Sequence, residues 1–302
     1  MKTLKLPILF SILILFTSCP KDEELICGCT DDQACNYNPN ADIDDGSCFL
    51  IYGCTDPLAT NFDPIANCHD SNLCLYLKDN VMIEFYNHID GTPLIFDSFT
   101  GYSDWFSTNS GQNFNILNLY YLITDIKLSD NNGNTLKTLS NFHFTSSDNE
   151  NSNYLFIPGI LSAGEYENLE FVFGLKSENN ISNSFIDEDF HTQMFWPDFM
   201  GGGYHYMKLE GKFDNETSFY ATHTGGLDGI DYSLSKSFPV NIISNEDGST
   251  HNIRISMDIN NWYSNPNNIT INSDGIMGNA ELQQKLKENG EYNVFNVQNM
   301  ND

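Results

Sequence analysis

Arginine is almost absent from this sequence, since Arg254 is the single one in 302 residues. Lysine and arginine together number 13 against 41 aspartates and glutamates, which gives a net charge of −28 at pH 7. Proteins that bind nucleic acids neutralise phosphates with clustered arginine and lysine, so this composition excludes nucleic acid as a partner. A disordered acidic tail is excluded as well, because aromatic residues make up 13% of the chain. The acidity therefore belongs to the surface of a folded protein.

Long apolar segments are lacking too, apart from one run over residues 6–16. That run is too short to span a bilayer, but after Lys2 and Lys5 it fits the apolar part of an export signal. It ends in Phe16-Thr17-Ser18-Cys19, which resembles the cleavage site of a bacterial lipoprotein. We therefore predict a signal peptide over residues 1–18 and lipidation of Cys19. Ordinary signal cleavage beside an incidental cysteine is the alternative.

An acidic tether over residues 19–26 follows the predicted cleavage site. Its segment Pro20-Lys21-Asp22-Glu23-Glu24 resembles the tag that sends some lipoproteins to the outer face of the outer membrane. A solvated linker is the alternative. We expect a lipid-anchored protein of the outer membrane, exposed at the cell surface, that contacts the membrane through its anchor alone.

Cysteine is missing from the 228 residues after Cys74, and all eight cysteines lie between Cys19 and Cys74. Such density in an exported chain predicts a small disulfide-rich module, which we assign to residues 27–77. Zinc binding by these cysteines is the alternative to disulfides, but the paired CxxC spacing of zinc sites is absent. Gly28-Cys29-Thr30-Asp31 recurs as Gly53-Cys54-Thr55-Asp56, a period of 25 residues. The module is similar to a cysteine-rich repeat of bacterial surface proteins.

The repeat suggests one disulfide within each copy, Cys29 with Cys48 and Cys54 with Cys74, and one between copies, Cys35 with Cys68. Other connectivities stay open at this point.

Asp42, Asp44 and Asp45 offer hard oxygen ligands that could hold Ca²⁺. Their spacing does not fit an EF-hand, and a turn rich in Asp and Gly is the alternative.

Short aromatic and β-branched runs separated by Asn, Asp and Gly fill residues 80–302, which is typical of strands and turns. The predicted strands are Val81–Asn87, Asn115–Ser129, Tyr166–Gly174, His205–Phe213, Thr217–His223, Phe238–Ile243 and Asn252–Ile259. Asp130-Asn131-Asn132-Gly133 predicts a hairpin turn. One helix is expected over Ala280–Glu288, capped by Asn279 and stopped by Asn289-Gly290. The predicted fold is all-β, an antiparallel β-sandwich with one short C-terminal helix.

Several motifs of this region occur in a recognisable order. They include Gly91-Thr92-Pro93-Leu94, Leu119-Tyr120-Tyr121-Leu122-Ile123-Thr124-Asp125-Ile126, Ala163-Gly164-Glu165-Tyr166, Met194-Phe195-Trp196, Lys208-Leu209-Glu210-Gly211 and His223-Thr224-Gly225-Gly226. In this order the region resembles the MbnP-like copper-binding family over about residues 80–300. The resemblance implies an exported β-sandwich that binds copper. It also implies, by analogy, a di-haem peroxidase-like partner that oxidises a tryptophan in some members.

Imidazole and thioether groups are the side chains that suit copper best. His88, His205 and His223 lie within the family-like stretches, and Met194 and Met207 lie near His205 in the sequence. Alternation along a strand puts His205 and Met207 on one face. These five residues, with Trp196 nearby, form the predicted copper site. Core packing is the alternative for the methionines.

Trp196 matches the family motif, but Pro197-Asp198-Phe199-Met200-Gly201 departs from it, which favours an unmodified buried tryptophan. Motifs of nucleotide-binding, serine-hydrolase and zinc-protease sites are absent, so we expect no enzyme. The predicted function is copper binding for acquisition, storage or delivery by a surface lipoprotein. The alternative is a non-catalytic adhesion or glycan-binding surface protein.

Overall fold

The computed structural model describes residues 25–214 and 218–301. The predicted signal peptide, the lipidated Cys19 and most of the acidic tether lie outside these residues, so they stay predictions. The chain divides between Leu77 and Lys78 into two compact units. Within the described ranges, no helix combines the length and the apolar character needed to cross a bilayer.

The first unit is built from two similar copies of the repeat. Its strands are β1 (Cys27–Gly28), β2 (Ile43–Asp44), β3 (Tyr52–Gly53) and β4 (Cys68–His69), with a 3-10 turn at Ser71–Leu73. β1 pairs with β2 and β3 with β4, both in parallel. Disulfides join Cys29 to Cys48, Cys54 to Cys74 and Cys35 to Cys68, the three pairs that the repeat suggests. Equivalent backbone bonds, Asn38 N–H to Cys29 O and Asp63 N–H to Cys54 O, repeat at 2.9 and 2.8 Å.

The second unit is a mixed sandwich of two sheets. Its strands are β5 (Asp79–Ile89), β6 (Thr92–Pro93), β7 (Phe106–Ser107), β8 (Asn113–Phe114), β9 (Asn118–Ser129), β10 (Thr135–Ser146), β11 (Tyr154–Leu161), β12 (Gly164–Phe173), β13 (His205–Phe213), β14 (Ser218–Gly225), β15 (Leu234–Ser244), β16 (Thr250–Asp258) and β17 (Phe295–Asn299). The helices are α1 (His191–Met194) and α2 (Ala280–Tyr292), and 3-10 turns lie at Glu150–Asn153, Asp198–Met200 and Ile259–Tyr263.

The larger sheet has the order β15-β12-β9-β13-β8-β7, with β10 also paired to β9 and β14 to β13. The smaller sheet has the order β11-β5-β16-β17, with β6 paired to β5. One hydrophobic core lies between them: Val81, Ile83 and Phe85 alternate inward along β5, and β9 is buried along most of its length. The predicted fold class is confirmed. Its strict antiparallel order is not, because β5 and β16 pair in parallel.

The C-terminal helix is longer than predicted. Asn279 caps it as expected, since its Oδ1 accepts the Leu282 N–H at 3.1 Å. The predicted stop at Asn289-Gly290 is wrong, because the helix continues to Tyr292. Asn289 instead donates from Nδ2 to the carbonyl of Trp262 at 2.8 Å. Gly290 leaves space for the Trp262 ring, which a Cβ there would approach within 2.7 Å.

Candidate metal centre

Two neighbouring strands of the larger sheet position the pair of histidines at the centre. β13 and β14 run antiparallel, with His205 opposite Gly225 and Lys208 opposite His223. A register irregularity between His205 and Met207 breaks the normal alternation. As a result His205 lies on the same face as Lys208 and His223. The ring centroids of His205 and His223 are 5.0 Å apart and nearly perpendicular, at 86°.

His205 is buried, and one of its two nitrogens has no partner. His205 is only 5% exposed, and its Nδ1 is 3.1 Å from the carbonyl oxygen of Met194. A carbonyl can only accept, so we infer that Nδ1 carries the proton and Nε2 has a free lone pair. Nε2 is buried without a hydrogen bond. Burial, followed by the charge of His223, lowers the pKa of His205 to about 3, so the ring is neutral at physiological pH.

Trp196 closes the centre on one side. It is fully buried, and its ring meets the His205 ring edge-on with centroids 4.7 Å apart. Its backbone N–H donates to Gly203 O at 2.9 Å, and its indole N–H donates to Met200 O at 3.4 Å. Gly225 faces the indole, and a Cβ at that position would lie 2.6 Å from Trp196 Cε3. The glycine is therefore required for the indole to lie against β14.

His223 forms the other half of the pair. Its Nε2 lies 2.6 Å from Glu210 Oε1, and its side chain is 15% exposed. Its backbone carbonyl accepts the side-chain amide of Gln283, from α2, at 2.7 Å. The hydrogen bond from His223 is the largest of the effects that lower the pKa of Glu210 to about 2. Lys208, two residues before Glu210 on the same strand, is farther from this carboxylate, with its Nζ 3.9 Å from Oε1.

The predicted copper ligands do not all meet here. His205, His223 and Trp196 are brought together. Met194, two residues before Trp196, is fully buried, and its backbone carbonyl accepts a hydrogen bond from His205 Nδ1. Met207 is buried on the opposite face of β13, because the irregularity at Tyr206 shifts the alternation that the sequence predicted. Met207 therefore packs opposite Thr224, away from the imidazole pair.

His88 lies in the smaller sheet and takes no part in this pair among the described contacts. Its Nδ1 accepts the Gly91 N–H at 3.0 Å and lies 3.8 Å from Asp258. The remaining histidines of this unit are held by other partners. His143 stacks on Phe85, His191 bonds the Tyr204 hydroxyl and His251 bonds Asp79.

No group of three or more His, Cys, Asp or Glu side chains in residues 25–214 and 218–301 is arranged to hold a metal ion. The donors at this centre are two imidazoles with a carboxylate behind one of them. The centroid separation of 5.0 Å is within the span of two rings that bind one ion through metal–nitrogen bonds of about 2 Å. In the first unit, Asp42, Asp44 and Asp45 accept the backbone N–H groups of Ile26, Gly46 and Ser47, as turn residues do. Calcium binding stays a prediction.

The fold and this centre define a β-sandwich protein with a partly buried pair of imidazoles beside an indole. A family model described as MbnP matches residues 78–281, so the chain belongs to the MbnP family, which is linked to methanobactin and copper. The resemblance drawn from the ordered motifs is thus confirmed. Among solved structures, MbnP from Methylosinus trichosporium is similar at a TM-score of 0.44 and 11% identity, over 74% of this chain and 99% of that chain. None of the curated proteins compared with the chain matches it.

Proposed function

We propose that this protein binds copper between His205 and His223 and serves in copper acquisition, storage or delivery. The observation that carries the proposal is the buried Nε2 of His205, which has a free lone pair and no hydrogen-bond partner. A buried polar atom without a partner is destabilising, and a metal ion would supply the missing interaction. Because this ring is already neutral, a metal ion need not displace a proton from it.

The two imidazoles favour a transition metal over a hard cation, and the family's link to copper selects copper among the transition metals. Imidazole suits copper, zinc, iron and nickel, whereas oxygen-rich sites favour Mg²⁺ and Ca²⁺. The Trp196 indole and the backbone of Met194 contact the His205 ring. The Glu210 carboxylate is already hydrogen-bonded to Nε2 of His223. The donor set of two imidazoles together with the family's link to copper supports the choice.

We further propose that the protein acts at the cell surface, held in the outer membrane by a lipid on Cys19. The disulfide-rich unit would then serve as a spacer, because it follows Cys19 and precedes the sandwich in the sequence. A di-haem partner that oxidises Trp196 is the weaker alternative to an unmodified Trp196, and it also stays a proposal. Intact mass of protein from its native cells tests that partner, since tryptophan-to-kynurenine conversion adds about 4 Da.

Copper titration of the purified protein tests the central proposal. We expect one equivalent to bind with high affinity, and His205→Ala and His223→Ala each to abolish that binding. His88→Ala and His191→Ala are the controls, because their rings contact neither member of the pair in the described structure, and we expect them to bind normally. Unchanged binding in the His205→Ala, His223→Ala double variant would contradict the proposal.

Glycan binding is the second candidate, favoured by a separate cleft in the sandwich. A cavity of about 330 Å³ is lined by Tyr86, Tyr154, Glu84, Glu150 and Asn153, among others. Aromatic faces beside carboxylates and amides suit sugar rings and hydroxyls. Glycan-array binding that is lost in Tyr154→Ala and kept in His205→Ala would support this function in place of copper.

A further inference from the structure

Glu210 contacts one of the two ring nitrogens of His223. Its Oε1 lies 2.6 Å from His223 Nε2, and its Oε2 accepts the Asn118 amide at 2.8 Å. An ionised carboxylate can only accept hydrogen bonds. In a neutral His223 the proton must therefore lie on Nε2, which leaves the lone pair on Nδ1.

The same logic applies to the other ring of the pair, with a different partner. The carbonyl of Met194 holds the proton of His205 on Nδ1, so the lone pair is on Nε2. Each ring thus has one nitrogen fixed by an acceptor from the surrounding protein and one left without a proton. Metal-binding histidines commonly show this arrangement, because the outer hydrogen bond sets both the tautomer and the ring orientation.

We propose that Glu210 is a positioning residue, which holds His223 with Nε2 protonated so that Nδ1 is the nitrogen offered to the metal ion. This inference rests on the proposed function, because it concerns the same centre.

Lys208 does not account for the position of Glu210. Its Nζ is 3.9 Å from Oε1, and the same amine donates to the carbonyl of Gln193 at 3.3 Å. The amine also lies 5.8 Å from the centre of the Tyr120 ring. The contact with His223 is the shortest that the Glu210 carboxylate makes, and hydrogen bonds to an ionised group are about twice as strong as neutral ones.

Nitrogen-15 NMR of the metal-free protein tests the inference directly, because the two tautomers of histidine have different ring shifts. We expect His223 in the unmodified protein to be the Nε2-protonated form. In Glu210→Leu we expect a mixture of tautomers, and copper affinity lower by about 10–100-fold, the usual loss when a second-shell partner is removed. Glu210→Gln retains an oxygen that can accept the same proton, so we expect it to lie between the two.

Glu170→Leu is the matched control, because Glu170 is also a partly buried strand carboxylate but pairs with Lys127 and Ser129. We expect this variant to leave the His223 signals and the copper affinity unchanged. An unaltered His223 tautomer in Glu210→Leu, or an equal loss of affinity in Glu170→Leu, would overturn the inference. Failure of the unmodified protein to bind copper would instead reject the proposed function, while the NMR comparison would still decide the role of Glu210.

Discussion

At the residue scale, the centre depends on a side chain that is missing. Gly225 lies opposite His205 in the β13–β14 pair, and the Trp196 ring occupies the space that a Cβ would fill. Interior packing is too dense to absorb an extra methyl group without moving a neighbour. The position of the indole beside His205 therefore follows from the backbone of β14 as much as from Trp196.

Gly225→Ala is expected to displace Trp196 from His205 and to lower the free energy of unfolding by about 1–3 kcal/mol. Tryptophan fluorescence and chemical denaturation measure the two effects. Gly226→Ala is the control, because a Cβ at the neighbouring position would meet no atom closer than 3.5 Å. Equal effects of the two substitutions would show that the space beside Trp196 is not the cause.

The types of the central residues could be predicted from the sequence, whereas their arrangement could not. His205, His223 and Trp196 were selected by the chemistry of copper and by the family-like motifs, and they do lie together. Met207 was placed beside His205 by simple alternation, but one irregularity in β13 turns it to the other face. Such an irregularity depends on tertiary packing: the Tyr206 ring fits against Gly174, where a Cβ would clash with it. Nothing within the strand itself signals that contact.

At the element scale, Asp79 joins the start of β5 to the turn between β15 and β16. It is fully buried, and its carboxylate accepts hydrogen bonds from the following groups: the Ser244 hydroxyl, the backbone N–H groups of Asn245, Asp247 and Gly248, and the His251 ring. Burial by itself would raise the pKa of Asp79, but the hydrogen bonds from His251, Ser244 and the backbone outweigh it and lower the pKa to about 2. This carboxylate supplies hydrogen-bond acceptors for backbone N–H groups of the turn.

The low pKa of Asp79 predicts a specific dependence of stability on pH. A carboxyl whose pKa falls from 3.8 to about 2 on folding contributes roughly 2 kcal/mol above pH 3.8, and this contribution is lost as the pH falls towards 2. In Asp79→Asn we expect lower stability at neutral pH and a flatter decline between pH 4 and pH 2. Chemical denaturation at several pH values measures both.

The exposed Asp104 provides the control for this measurement, as Asp104→Asn. We expect that variant to follow the unmodified protein over the whole pH range. A decline in stability that is equally steep in Asp79→Asn would mean that other carboxyls cause it.

Strands with clear alternation were predicted well, while strands with mixed polarity were missed. His205–Phe213 was predicted with the bounds it has, but β10, β11 and β17 were not predicted. β10 carries polar residues on both faces, so it gives no strong period of two. β17 does alternate, but over five residues with only two apolar positions, which is too short a signal to predict a strand. The parallel pairing of β5 with β16 joins segments about 170 residues apart, and local periodicity contains no information on such a partner.

At the scale of the whole molecule, the net charge of −28 and the two-histidine centre attract cations in two different ways. The carboxylates of a strongly acidic surface attract cations through a field that reaches as far as the Debye length allows. That length is about 30 Å at 0.01 M salt and about 3 Å at 1 M. A partly buried pair of nitrogens binds by short coordinate bonds, which salt screens far less. Ionic strength should therefore separate the two kinds of binding.

We expect Cu²⁺ to bind in excess of one equivalent at low ionic strength and to fall to one equivalent in 1 M potassium nitrate. Equilibrium dialysis with metal analysis measures both amounts. In the double variant His205→Ala, His223→Ala we expect the salt-sensitive part to remain, because the surface charge is unchanged, and the salt-resistant equivalent to disappear. Loss of all copper at 1 M salt would mean that the acidic surface alone attracts the metal. A salt-resistant equivalent in the double variant would place the specific site on other residues.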